Sequence, residues 1–279
     1  MTTTRRFPLR AVAIHAVLLL YAALCLGPVL LVVVNSAKTR AGIFGSPLSL
    51  PGPATFDLAG YRTVLGQGAY LGYLANSLIV TGGSLAAVLL FGAMAAFALS
   101  EYRFPGNRLL GLFLALGIMV PIRLGTVAIL RMMVASHLVN TRAALVLIYA
   151  AQGLPVAVFI LGEFMQGVSR DLKDAGRVDG LSEYAIFFRL VLPLVRPAVA
   201  TVAVFTMIPI WNDLWFPLIV APGEATRTVT LGAQAFIGQY VTNWNAVLAA
   251  LTLAILPVLV LYGLFSRQLI RGLTAGAVK

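Results

Sequence analysis

Residues 165–193 read MQGVSRDLKDAGRVDGLSEYAIFFRLVLP, and this stretch governs the interpretation of the whole chain. It holds Arg170, Asp171, Lys173, Asp174, Arg177, Asp179, Glu183 and Arg189, yet long apolar runs lie on either side. Ser169 is placed to cap a helix, since its hydroxyl can accept a backbone N–H that the first turn leaves free. Asp171 then falls in the first turn, where negative charge suits the helix dipole. Leu172, Ala175 and Val178 recur at helical spacing and predict a short apolar face. Gly180 is a natural helix end. A second amphipathic stretch, 183–192, leads to Pro193. A plain connector needs only a few residues. The length, cap and patterned face predict a short helix outside the membrane that acts as a docking surface. The alternative is a solvated connector.

The composition explains why such a loop stands out. The 279 residues are 60% hydrophobic and 10% charged, whereas soluble domains carry roughly a quarter charged residues. So few charges cannot solvate a water-exposed surface of this size, so the chain meets lipid. The net charge of +11 would suit nucleic acid. The basic residues, however, cluster at the edges of apolar runs: Arg5, Arg6 and Arg10; Arg103 and Arg108; Arg267 and Arg271. That distribution sets membrane topology and lacks the basic stripe of a nucleic-acid binder. Cys25 lies alone in the first apolar run, and His15 and His137 are far apart, so no disulfide and no metal site is expected.

Six segments are apolar enough to span: 11–34, 74–99, 109–132, 143–163, 194–221 and 246–265. Each approaches or exceeds the about 20 residues that a spanning helix needs. Backbone groups in lipid must be satisfied internally, which predicts helices. The first run exceeds the roughly 7–15 apolar residues of a cleavable signal and is read as a retained helix. With the N-terminus in the cytoplasm, thirteen Lys and Arg fall on the inner side and six on the outer, with Arg123 inside a span. This bias predicts both termini in the cytoplasm. The expectation is an all-α membrane protein of about six transmembrane helices. Residues 1–72 hold the tail, first helix and outer loop, 73–266 the main transmembrane domain with its loop 165–193, and 267–279 a cytoplasmic tail. The outer loop 35–73, with Ser46-Pro47 and Pro51-Gly52-Pro53 as turn signals, is expected to be irregular. Gly83 and Ala87, then Gly92 and Ala96, predict close helix packing.

Two charges lie within spans. Arg123 is roughly 22 Å along a helix from Arg108, and Asp213 roughly 24 Å from Pro197. Both therefore reach similar depth in the outer half, and intramembrane charges face a cavity or a partner. The expectation is either an Arg123–Asp213 pair facing a cavity, or two residues that snorkel or bond to backbone separately. Trp211 reads as an aromatic anchor at the membrane interface, with Asn212 and Trp211 offering a hydrogen bond and an aromatic face to a polar solute as the alternative.

A resemblance narrows this reading. Asp174-Ala175-Gly176, Gly180 and Leu190-Val191-Leu192-Pro193 resemble the EAA loop of ABC importer permeases. That pattern is Glu-Ala-Ala, three residues, Gly, nine residues, Ile, any residue, Leu-Pro. The spacing fits throughout, and Asp174, Gly176 and Leu190 depart from the pattern. Asp174 keeps the charge with a shorter reach, and Gly176 weakens a helix by about 1 kcal/mol relative to Ala. Trp211-Asn212-Asp213, Asn76-Ser77, Asn140-Thr141 and the tail 271–279 are similar to those of the carbohydrate-uptake, MalG-like subfamily.

The resemblance implies a type I importer transmembrane domain with a cytoplasmic coupling helix, in the bacterial plasma (inner) membrane. Its partners would be a second related permease, two ATP-binding subunits and an extracytoplasmic solute-binding protein. The solute would be a sugar, with a glycerol-phosphate compound as the alternative. The chain has no Gly-x-x-x-x-Gly-Lys-Ser/Thr loop, so it is expected to be no enzyme and to bind no cofactor. ATP and Mg would sit in the partner subunits. The implied ATPase-coupling residues are Leu172, Asp174, Ala175, Gly176, Asp179, Gly180, Leu192 and Pro193. An ion-coupled carrier, the rival class, would want several buried acids or inverted repeats, and neither is evident.

Overall fold

The computed structural model describes residues 9–66, 69–237 and 242–277, and the following statements concern those residues. Arg5, Arg6, Val278 and Lys279 lie outside them. The regular structure of the described residues is helical, with two isolated bridges, Lys38–Phe56 and Ile237–Thr242, between the helices. It divides into two compact units: residues 1–70 with 233–255, and residues 71–232 with 256–279.

In the first unit, α1 (Leu9–Ser36) runs unbroken past Pro28. The following loop is not irregular as expected. Thr39 accepts the Gly42 N–H and starts α2 (Arg40–Gly45). Asp57 accepts the Ala59 N–H at 2.8 Å and starts α3 (Ala59–Gly66). The Pro- and Gly-rich turns lie between these two helices, where local side-chain caps won over flexibility. Lys38 is buried, and its ammonium donates to Asn35 Oδ1 at 3.0 Å and Ser46 O at 2.8 Å, which folds the loop around it. The amide of Asn245, near the start of α14 (Trp244–Ala277), donates to Lys38 O at 2.6 Å. Gly60 lies so close to this helix that a Cβ would sit 2.2 Å from Asn245 O, which leaves room for no other residue.

The second unit begins within α4 (Ala69–Glu101). After Gly106, which has a φ of +92°, the chain enters α5 (Asn107–Met119). A 3-10 turn at Ile122–Gly125 leads to α6 (Thr126–Ala135), with an 89° bend between the two arms. The third span was expected as one helix. Pro121 holds Val120 extended (ψ 115°) and lacks the N–H that would continue the ladder, so the helix breaks there. α7 (Arg142–Gln166) is unbroken through Pro155. α8 (Arg170–Val178) follows, then α9 (Glu183–Ala185), a π-helical stretch Ile186–Val191 and α10 (Leu192–Leu194). Pro193 removes one ladder donor at the end of the wide-wound stretch.

α11 (Arg196–Asn212) turns away from the preceding helices by 79°. The fifth span was expected to continue to residue 221. It stops at Asn212, because Asp213 is extended (ψ 133°), and restarts as α12 (Trp215–Val220). α13 (Val229–Ala233) closes this part of the chain. Three unbroken helices and two bent pairs are apolar enough to cross a membrane, and Trp244–Val260 is a sixth apolar helix slightly shorter than those.

One core of the second unit joins Val88 and Phe97 of α4, Leu161 and Met165 of α7, Phe187 of the π-helical stretch and Val202 of α11. The predicted Gly92 makes it possible: a Cβ there would lie 2.8 Å from that of Ala157. Gly153, which the small-residue spacing did not single out, does the same, since its Cβ would lie 2.7 Å from Val88. The seam is internal to the chain. A second core gathers Val80, Leu145, Tyr149, Ile210 and Phe216.

Candidate functional site

α8 is ordered by its own sequence. Ser169 Oγ accepts the Asp171 N–H at 3.2 Å, with Asp171 in the first turn and Arg177 in the last. At the exit, the Leu181 N–H donates to Gly176 O at 2.9 Å and the Gly180 N–H to Arg177 O at 3.0 Å. These two bonds form a Schellman close, which needs a left-handed residue after the helix. Gly180 supplies it with a φ of +82°.

The exposure of α8 is the reverse of a soluble helix. Leu172 is 40% exposed and Val178 88%, while the charged Lys173 is 5% exposed. Ala175, Asp174 and Asp179 also face outward, and Gly176 faces inward. The predicted apolar face of Leu172, Ala175 and Val178 thus exists and touches nothing that covers it. Leu192 and Pro193 are half-buried, and Leu192 packs against the core shared by α4, α7 and α11.

A buried ammonium is costly unless a carboxylate and hydrogen bonds compensate it. Lys173 is paired with Glu101, the last residue of α4. Arg177 completes the clamp. Its Nη2 donates to Glu101 at 2.8 Å, its Nη1 to Asp174 at 2.6 Å and its Nε to Glu183 at 2.8 Å. The Tyr102 hydroxyl donates to Glu183 at 2.5 Å. The bonds from Arg177 and Tyr102 hold the Glu183 carboxyl below its ordinary range. Burial first, then the bond to Glu183, pushes the Tyr102 phenol up to about 12. The bonds to Glu183, Glu101 and Asp174 raise the Arg177 guanidinium. Sequence reasoning missed Glu101. The available signal was its isolation: only Asp57 precedes it among the carboxylates, and it closes an apolar span.

Two departures from the permease pattern touch each other. A Cβ on Gly176 would lie 2.9 Å from Leu190 Cδ1. The larger reach of Leu190 fills the place where the pattern has an alanine methyl.

The second group of residues lies at the broken helices. Arg123 Nη2 and Asp213 Oδ1 pair at 3.3 Å, with the side chains 66% and 8% exposed. Both residues sit at helix breaks rather than within unbroken helices, and there they meet. Asp213 also accepts the Tyr149 hydroxyl at 2.8 Å and the backbone N–H groups of Trp215 and Phe216, each at 3.2 Å. Its carboxylate therefore starts α12 as well as holding Arg123. Trp211 is buried (3% exposed), while Asn212 is exposed and donates to Ile208 O at 2.9 Å. The exposed indole is that of Trp215, which lies 5.8 Å beneath the Arg123 guanidinium and donates to Thr126 Oγ1 at 3.0 Å. Tyr149 also lines a cavity of about 1010 Å³ with Pro121, Gln152, Thr206 and Pro209.

The motif residues at the other helix ends fasten one loop. Asn76 donates to Ala225 O at 2.9 Å and Arg227 O at 3.0 Å. Ser77 Oγ accepts the Val229 N–H at 2.8 Å, and Asn140 Oδ1 the Gly223 N–H at 2.9 Å. Thr141 caps α7.

Residues 88–275 match the family model described as binding-protein-dependent transport system inner membrane component. The diacetylchitobiose uptake system permease protein NgcG of Streptomyces coelicolor is 31% identical over 280 residues, covering 100% of this chain and 91% of that protein. The probable starch degradation products transport system permease protein AmyC of Thermoanaerobacterium thermosulfurigenes is 31% identical, covering 92% of each. A crystal structure of a bacterial ABC transporter involved in alginate import superposes with a TM-score of 0.80 at 20% identity, over 96% of this chain and 99% of that one. The chain belongs to the family of binding-protein-dependent transport system inner membrane components, the ABC importer permeases. Its fold is theirs, as the resemblance implied.

Proposed function

We propose that this chain forms half of the translocation pathway of an ATP-driven importer, with α8 as the helix that docks into an ATPase subunit. The observation that carries this reading is the inverted exposure of α8: a free apolar stripe outward and a clamped lysine inward. An exposed apolar patch framed by charge is a docking surface. Leu172, Ala175 and Val178 supply the contact, Asp174 and Asp179 fix its orientation, and Gly180 ends the helix sharply. Gly176, Leu192 and Pro193 shape the support.

Alternating access needs a rigid link between the ATPase and the spanning helices. Arg177 and Lys173 tie α8 to the end of α4 through Glu101, so a push on α8 moves α4 with it. ATP and Mg belong to two partner ATPase subunits, and the other half of the pathway to a second permease. An extracytoplasmic binding protein delivers the solute. Both termini are cytoplasmic. Residues 73–266 make up the translocation domain, preceded by the tail, first helix and outer loop and followed by the tail 267–279.

The solute is a sugar or short oligosaccharide. The relatives named for diacetylchitobiose and starch products support this class. Arg123, Asn212 and Asp213 line the pathway, and Trp215, rather than the buried Trp211, offers the aromatic face. The test is reconstitution of the complex in proteoliposomes with its binding protein. ATP-dependent uptake of a labelled oligosaccharide is expected. ATP-independent uptake driven by an ion gradient would contradict the proposal.

A further inference from the structure

A second cleft, of about 1020 Å³, lies beside the clamp, between the α4–α5 turn and the start of α8. Arg103, Arg108, Arg170 and Lys173 line it, and Glu101 is the single carboxylate among the lining residues. Glu101 is already engaged by Lys173 and Arg177. The three arginines are exposed, and no carboxylate of the described residues pairs with them. Four cations against one carboxylate leave the cleft with a surplus of three positive charges.

The opposite wall is apolar. Leu109 and Leu112 of α5 line the cleft, and α5 buries none of its residues within the chain. α5 is one arm of a candidate membrane span, so this wall continues into the hydrocarbon. A soluble anion has no use for a leucine wall, and a neutral lipid has no use for three free guanidinium groups. The combination fits an amphiphile with a phosphate head and an acyl chain.

We propose that this cleft binds an anionic phospholipid of the cytoplasmic leaflet, with its phosphate among Arg103, Arg108 and Arg170 and a chain along Leu109 and Leu112. The proposal rests on the reading that places α8 on the cytoplasmic side. Arg170 is the first residue of α8 and Lys173 its buried anchor, so a bound lipid steadies the docking helix from below. Lipid composition then regulates how tightly ATP hydrolysis and transport are linked.

The test uses the whole complex, purified with its ATPase subunits and placed in nanodiscs. One set contains phosphatidylcholine alone, and the other adds phosphatidylglycerol. Native mass spectrometry counts the lipid retained. The wild-type complex should retain phosphatidylglycerol in preference to phosphatidylcholine. Each of Arg103→Gln, Arg108→Gln and Arg170→Gln should weaken that preference about fivefold, as roughly 1 kcal/mol per basic residue at a membrane surface requires. Arg62→Gln, on the outer loop, should leave it unchanged, and inorganic phosphate should not displace the lipid.

Equal retention of both lipids would overturn the proposal, as would displacement by inorganic phosphate, which would make the cleft a site for a free anion. Loss of the ATPase subunits from the triple variant with phosphatidylglycerol retention unchanged would overturn it too, since an acidic segment of that partner would then fill the cleft. A wild-type chain that never co-purifies with an ATPase defeats the docking reading instead. The lipid count on the isolated chain then decides this proposal by itself.

Discussion

Lys173 of α8 and Glu101 at the end of α4 form an ion pair, with both side chains almost fully buried. Breaking such a pair from one side costs about 3–5 kcal/mol, because the remaining charge stays buried and uncompensated. Glu101→Gln should therefore loosen α8 and expose Arg177 and Lys173 to proteolysis, measured as the rate of tryptic cleavage at those sites. Glu101→Lys with Lys173→Glu should restore part of the protection. An unchanged cleavage rate in Glu101→Gln would show that the clamp does not hold α8.

Gly180 sits at a φ of +82°. A β-branched residue there is strained by about 1–3 kcal/mol and should disturb the close of α8. Gly180→Val should leave ATP hydrolysis by the complex running while uptake falls several-fold, read as the ratio of the two rates in proteoliposomes. An unchanged ratio would remove Gly180 from the link.

Gly176 and Leu190 should behave as a pair. Gly176→Ala gains about 1 kcal/mol of helix propensity but drives a methyl to 2.9 Å from Leu190 Cδ1. The single variant should melt no higher than wild type. Gly176→Ala with Leu190→Ile should melt higher than the single variant in a thermal unfolding series on the complex. A single variant that gains the full propensity term would show that Leu190 moves aside without cost.

Asp213 and Arg123 are unequal partners. Asp213 is buried and accepts from four residues, while Arg123 is largely exposed. Asp213→Ala should lower the thermal midpoint strongly, by the about 1–3 kcal/mol or more that unsatisfied buried donors cost. Arg123→Ala should shift it little. Reversing the two charges should not rescue folding, because an arginine at position 213 cannot accept the N–H groups of Trp215 and Phe216.

The clamp has a predictable pH dependence. The Glu183 carboxyl lies below its ordinary value, so its contribution is present above the unfolded value of about 4.3 and is lost as pH falls through the depressed one. The Tyr102 phenol lies at about 12. Its contribution is complete below the unfolded value of about 10 and is lost as pH rises through 12. Tyr102→Phe should make the alkaline limb of a stability–pH profile followed by circular dichroism shallower. A limb of unchanged depth in this variant would place its origin elsewhere.

The legible part of this molecule was what local chemistry determines. Ser169, Gly180 and the Leu172–Ala175–Val178 spacing foretold α8 because caps, left-handed glycines and helical faces act within a few residues. The spans were legible because lipid imposes a length. The breaks at Pro121 and Asp213 were harder. Proline is tolerated within α1 and α7, so its presence alone did not say which helix would bend. Glu101 escaped because its partners lie more than seventy residues away, and pairing at that distance is a property of packing rather than of pattern. Trp211 and Trp215 exchanged places for the same reason: the turn at Asp213 decides which indole faces inward.

In the proposed complex the exposed face of α8 enters an ATPase subunit. A photo-crosslinking residue in place of Val178, in the complex assembled with its ATPase, tests it most directly. An adduct with the ATPase subunit is expected from position 178 and none from position 71, at the far end of α4. An adduct-free ATPase, with position 178 labelled only by lipid or solvent, would contradict it.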